Sequence, residues 1–351
     1  MVMLLQIMLV VLGLVLLAKG ADFLVDGSSK IARRFKIPEI IIGLTIVSIG
    51  TSLPELVISV TSALAGSSSI SMGNVVGSNF ANLFLVISLC ATVKPLHMKK
   101  QTRFLDQPFV LICTILLYLI VVNDGVVSVF EGVALLLIAI LYILYNVLIT
   151  KYGKSINQYN SEHEIEIDQE KNFLASKSKV VKAISEEKTK FEIKFPTIFA
   201  IFSIIIGIAL LKIGGDITVE NAKLIAYSLG FSEKIVGLTI VALGTSLPEL
   251  ITCLEAIKKN EADLAIGNIA GSQIFNILLV LGASAAIVPI PDVISYREEI
   301  LILAVGNLIF VLAPFLNEKH RVGRLLGSSF VIFYFSYMVM LVLENMNLIQ
   351  E

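Results

Sequence analysis

The stretch Gly43-Leu44-Thr45-Ile46-Val47-Ser48-Ile49-Gly50-Thr51-Ser52-Leu53-Pro54-Glu55-Leu56 sets a proline and a carboxylate in the middle of an apolar run. Residues 237–250 write it again as Gly-Leu-Thr-Ile-Val-Ala-Leu-Gly-Thr-Ser-Leu-Pro-Glu-Leu. Glu55 and Glu249 are 249 − 55 = 194 positions apart. The same offset carries Asp22 onto Asp216, Gly73-Asn74 onto Gly267-Asn268, Gly77-Ser78 onto Gly271-Ser272, and Asn82 onto Asn276. The chain is two copies of one unit, so a site made from these residues is made from pairs.

Around this repeat the sequence is 56% hydrophobic and only 16% charged, outside the usual range of soluble domains. Crossing a bilayer takes about 20 mostly apolar residues in a helix. Such runs lie near 2–19, 39–65, 70–93, 107–122 and 127–150, and again near 196–213, 235–257, 263–288, 298–316 and 325–344. Barrel strands would be shorter and would alternate, so the spans read as helices. The opening apolar run has no basic flank and continues into Asp22, which has a counterpart in the second half. It is therefore expected to be the first span and not a cleaved signal.

Five spans per unit is an odd number, so the second unit is expected to enter the membrane from the opposite side. Basic residues cluster at Lys30–Lys36, Lys94–Arg103, Lys258-Lys259 and Lys319–Arg324, while Gly66–Ser69 and Asn123-Asp124 have none. This predicts a cell-membrane protein with both termini outside and those basic loops in the cytoplasm. Residues 1–150 form the first repeat, 151–195 a cytoplasmic linker and 196–351 the second repeat. The linker carries Glu162, Glu164, Glu166, Asp168 and Glu170, then Lys177, Lys179 and Lys182, and lacks a calcium-loop motif. A solvated connection is expected, whose basic part could lie on anionic lipid.

A carboxylate at mid-membrane costs about 3 kcal/mol or more unless it faces the protein interior with a partner. Here that cost recurs at matched positions, with no Lys or Arg at depth to meet it. A cation that comes and goes is the expected partner. Pro54 and Pro248 lack an N–H and clash with the preceding turn, which frees carbonyls around Gly50 and Gly244. Each Gly-Thr-Ser-Leu-Pro-Glu segment is thus expected to be a broken helix offering carbonyls, hydroxyls and a carboxylate near the midplane. In the second cluster Ser78 and Asn82 are four residues apart and share a helix face, as do Ser272 and Asn276. Small glycines there allow close helix approach.

All of these are hard oxygen donors, the type calcium takes in sets of about 6–8. Transition metals would favour imidazole or thiolate, but His97, His163 and His320 lie in loops, and Cys90, Cys113 and Cys253 are isolated. Two carboxylates can neutralise one divalent ion or a set of monovalent ions, not both together, and this exclusion is the physical basis of antiport. A proton- or potassium-coupled divalent antiporter, a cation channel and an intramembrane hydrolase remain alternatives. Against the hydrolase, no His lies in a span near Ser52 or Ser246. No phosphate-binding loop for an ATP-driven pump is present, and nothing suggests nucleic acid.

At the two Gly-Thr-Ser-Leu-Pro-Glu-Leu copies, each followed by Gly-Asn-x-x-Gly-Ser-x-x-x-Asn, the chain resembles the cation/calcium exchanger superfamily, in its sodium/calcium exchanger branch. The resemblance implies an all-α integral membrane protein, with about ten transmembrane helices in two inverted five-helix repeats and broken helices at the midplane. It implies an antiporter and not an enzyme, with no cofactor and with calcium and sodium as transported ions. The bilayer is its surrounding, and no oligomer is required. Carried onto this sequence, the calcium ligands are Glu55 and Glu249 with the backbone carbonyls of Thr51 and Thr245. Sodium sites involve Ser52, Ser246, Ser48, Ala242, Ser78, Ser272, Asn82 and Asn276. The first span of each repeat, near Gly20 and Gly214, is the part expected to slide.

Overall fold

The computed structural model describes residues 2–35, 37–66, 68–168, 197–228, 242–316 and 320–345. Almost all of them are helical. The first half contains α1 (Val2–Phe35), α2 (Ile40–Thr51), α3 (Leu53–Leu64), α4 (Ile70–Val93), α5 (Thr102–Asp124) and α6 (Val129–Asp168). The second contains α7 (Thr197–Ser228), α8 (Ala242–Thr245), α9 (Leu247–Lys258), α10 (Ala262–Ile287), α11 (Val293–Phe315) and α12 (Arg324–Asn345). Eight of the described helices are long and apolar enough to cross a membrane, and the bent pair α2–α3 makes a ninth. The span expected near 235–257 begins outside the described residues and enters them as α8 and α9. The linker residues 169–195 also lie outside them.

Helix and apolar run do not end together. α1 continues from the span expected at 2–19 to Phe35, and α7 from 213 to Ser228, because backbone hydrogen bonding continues where hydropathy falls. α6 passes 150 for the same reason and reaches Asp168. A turn ends α5: Gly125 takes φ 72°, which a Cβ would disfavour.

The 194-residue offset recurs in the backbone. Ser52 (φ −87°, ψ 7°) breaks α2 from α3, and Ser246 (φ −88°, ψ 2°) breaks α8 from α9. α4 becomes π-helical over Asn82–Ile87, and α10 over Asn276–Leu281. β1 (Leu96–His97) pairs antiparallel with β2 (Arg321–Val322), and the bridge Val127↔Ile290 joins the matching segments, 96 + 194 = 290 and 127 + 194 = 321, within one residue of the mirrored register. Since α4 and α5 run in opposite directions, those two ties sit at opposite ends of the bundle.

α4 and α10 form the centre, with 83% and 94% of their apolar windows buried against 17% for α1. α1 and α7 pack on each other outside that centre. A Cβ on Gly20 would lie 2.7 Å from the Leu211 nitrogen, and one on Gly207 2.7 Å from the Leu24 nitrogen, so the two backbones touch along a glycine seam. Leu4, Met8 and Val15 on α1 and Phe199 and Ile205 on α7 point outward, as lipid-facing side chains do.

Candidate cation site

The broken helices bring the two acids together. Pro54 has no N–H for the Gly50 carbonyl, and α2 and α3 bend by 47° at this point. Glu55 then opens α3 and Glu249 opens α9, both in a first turn where the helix dipole favours negative charge. Each carboxylate is 1% exposed and faces its own backbone N–H, and the two are close enough to repel one another. Among the described residues no ion pair reaches either.

Hydroxyls from both halves surround them. Ser52 Oγ donates to Glu249 Oε1 at 3.4 Å, a hydrogen bond across the repeat boundary. The Thr51 side chain faces the same carboxylate, and Ser272 faces it without closing a hydrogen bond. Ser78 and Thr245 hydroxyls meet at 3.4 Å, again across the boundary. Ser48 Oγ donates to the Thr45 carbonyl at 3.3 Å and sits where α2 crosses α10. A Cβ on Gly271 would be 2.4 Å from that oxygen, so only glycine admits Ser48 here. Ala242 opens α8 as Ser48 opens the helical turn Ser48–Thr51, at the matched position.

Asn82 and Asn276, each 1% exposed, are the first residues of the π-helical segments Asn82–Ile87 and Asn276–Leu281. Such segments often mark functional sites because they rotate side chains out of the α-helical register. Asn82 Oδ1, both side-chain atoms of Asn276, Ser246 Oγ and one oxygen of each Glu have no hydrogen-bond partner among the described residues. A buried oxygen without a partner costs roughly 1–3 kcal/mol. A group of such oxygens around two carboxylates suits a cation.

The two ends of the bundle differ. At the end where α1 and α9 finish, Lys259 Nζ bonds Asp22, Asp26 Oδ1 (2.7 Å) and Glu255 Oε1 (3.6 Å), and the Asp22 carbonyl at 3.2 Å. Beside it Arg33 pairs with Glu261 at 3.3 Å, Lys99 with Asp263, and Lys94 donates to Asn260 at 2.7 Å. Subtracting 194 from Lys259 gives Ala65, which can form no such tie. At that opposite end Asp216 pairs within its own helix, with Lys212 at 2.8 Å. A cavity of about 80 Å3 opens there, lined by Ile58, Lys212, Asp216 and Glu220 and reaching Pro54, Gly244 and Thr245. One end is bolted and the other is open as far as the broken helices.

Sequence reading missed Lys259 as a partner of Asp22, because nothing in the one-dimensional pattern joins residues 237 positions apart. It also left Asn74 and Asn268 out of the site. Their repetition was the available signal, since an amide at matched positions in apolar helices has to be satisfied twice.

A family model described as "Sodium/calcium exchanger protein" matches residues 5–148 and 199–343. Inner membrane protein YrbG of Escherichia coli K12 is 32% identical over 94% of this chain and 96% of its own length. Sodium/calcium exchanger MaX1 of Methanosarcina acetivorans is 28% identical over 95% of this chain and 97% of its own. The solved structure of the sodium-calcium exchanger NCX_Mj, soaked with Na+ and Sr2+, superposes with a TM-score of 0.77 at 28% identity, covering 97% of this chain and 99% of that one. With both repeats inside the family match and the paired acids at its centre, the chain belongs to the sodium/calcium exchanger protein family.

Proposed function

We propose that the chain is a secondary active antiporter that exchanges calcium for sodium across the membrane by alternating access. One observation carries this: Glu55 and Glu249, from the two inverted halves, lie buried beside one another among hydroxyl and amide side chains of both halves, with Ser52 of one half bonded to Glu249 of the other. A divalent ion satisfies both carboxylates at once. Sodium ions satisfy them separately with Ser48, Ser52, Ser78, Asn82, Ala242, Ser246, Ser272 and Asn276, and calcium also uses the carbonyls of Thr51 and Thr245. Neither load fits with the other, so each is released only as the other takes its place.

Two carboxylates face each load, and an exchange of about three sodium ions for one calcium would move one net charge per cycle, worth about 2.3 kcal/mol per 100 mV. The α1–α7 pair, joined by its glycine seam and packed outside the buried centre of α4 and α10, is the element that slides. The termini lie outside, with the 151–195 linker in the cytoplasm between repeats 1–150 and 196–351. The open cavity then faces outward and Lys259 holds the inner end shut. One chain supplies both acids, so a monomer suffices in the bilayer. Sodium-gradient-driven calcium uptake into vesicles containing the purified protein tests this. Uptake should vanish when choline replaces sodium, whereas uptake that persists would assign the coupling to protons and sink the sodium reading.

A further inference from the structure

The amides of Asn74 and Asn268 form two nodes at matched positions. Asn74 Nδ2 donates to Ser59 Oγ at 2.8 Å and to the Glu55 carbonyl at 3.1 Å, and Ser59 Oγ donates to the Ser71 carbonyl at 3.4 Å. Asn268 Nδ2 donates to Cys253 Sγ at 3.5 Å, and Cys253 Sγ to the Ala265 carbonyl at 3.6 Å. All three pairs of positions differ by 194. Ser59 and Cys253 each lie four residues after the carboxylate, on the same helix face. The nodes therefore fix the rotation of α3 and α9 about their axes, which decides whether Glu55 and Glu249 converge.

The second node does more, because it crosses into the other half. Asn268 Oδ1 accepts from Thr51 Oγ1 at 3.2 Å. The Thr51 hydroxyl has one proton and three acceptors around it: the Ser48 carbonyl at 3.3 Å, Asn268 Oδ1, and the Glu249 carboxylate that it faces. A cation taking Glu249 removes one of those acceptors. The Asn268 amide can receive the proton only if its oxygen faces Thr51, and its N–H bond to Cys253 holds it that way round.

We propose that Asn268 is a positioning residue for exchange: it takes the Thr51 hydroxyl when a cation occupies Glu249, keeps the Thr51 carbonyl aimed at that cation, and so sets cation affinity, with Cys253 as its anchor. This role rests on the exchange reading and adds to it a residue outside the expected ligand set.

The test compares Thr51→Val, Asn268→Ala, their double variant, Cys253→Ser and Cys253→Ala in sodium-driven calcium uptake. Thr51→Val and Asn268→Ala should each raise the calcium KM about three- to tenfold, with the Asn268→Ala turnover at saturating calcium kept within about twofold. The double variant should be no worse than either single one, because both remove the same hydrogen bond. Cys253→Ser rebuilds the Ser59 arrangement and should keep KM at or below wild type, while Cys253→Ala raises it. Effects of Thr51→Val and Asn268→Ala that multiply, or a fall in turnover at unchanged KM, would overturn the proposal. Should Asn268→Ala fail to fold, Thr51→Val is nearly isosteric and reads the same bond, so a wild-type KM in that variant alone overturns it. Wild-type vesicles that take up no calcium would sink the exchange reading and this role together; normal wild-type uptake with unmoved variants would sink the role only.

Discussion

Ser52 of the first repeat donates a hydrogen bond to Glu249 of the second at 3.4 Å, so an acid of one half is steadied by the broken helix of the other. Ser52→Ala removes that bond and a proposed sodium ligand. The sodium concentration for half-maximal exchange should rise about three- to tenfold, more than the calcium KM does. Sodium titrations of calcium efflux from loaded vesicles check this, and equal shifts in both constants would contradict it.

Neutralising either acid has a larger effect. Glu55→Gln or Glu249→Gln leaves shape and volume but removes the charge proposed to meet the ion, and calcium flux should fall about 100-fold or more. The melting temperature of the purified protein should not drop, because an amide in this pocket avoids the repulsion between the acids. Flux near the wild-type rate would remove the site from the pathway.

Asn276 has neither side-chain atom hydrogen-bonded among the described residues and begins a π-helical segment at the pocket. Asn276→Asp adds a third carboxylate. Calcium affinity should increase about tenfold or more, given roughly 4 kcal/mol per unit charge pair at 4 Å and an effective dielectric near 20, less the cost of crowding the acids. Reversal potentials in voltage-clamped vesicles should show a changed net charge per cycle. Unaltered affinity and coupling would place residue 276 outside the ion shell.

Lys259→Ala frees Asp22 and Asp26 at the bolted end. Hydrogen exchange in α1 between residues 20 and 30 should quicken about five- to thirtyfold, the size expected for a partly buried ion-pair cluster. Protection unchanged from wild type would mean the tie does not hold that end. Burial disfavours the Lys259 ammonium, and its hydrogen bonds to Asp22 and Asp26 outweigh this and raise its pKa above the ordinary value. A raised lysine pKa stabilises fully below the unfolded value and is lost only as pH climbs through the folded one. Through this residue, then, protection in α1 should be flat from about pH 7 to 9 and weaken only above about pH 10.

Glu55 and Glu249 were legible as a pair because a carboxylate in an apolar run is expensive and a 194-residue offset repeats it. Pro54 and Pro248 told where the helices break, since the missing N–H is a local property. What escaped were features fixed by packing. The π-helical turns at Asn82 and Asn276 have no letter of their own in the sequence. The Asn268–Thr51 bond joins residues 217 apart, and the Lys259 cluster depends on how the end of α9 meets α1. The expected ends of spans 1 and 6 fell short because hydropathy reports where lipid stops, while α1 and α7 continue as hydrogen-bonded helix beyond it.

The position matching Lys259 in the first half is Ala65, so this tie has no counterpart there, and such an imbalance would matter to a carrier. A fully symmetric machine with an empty pocket would rock freely between its two faces, and every unladen swing would be a chance for the stored gradient to leak away. If the cluster holds one face shut until something between the paired acids makes opening worthwhile, three acids and a lysine would give the idle molecule a side on which to wait.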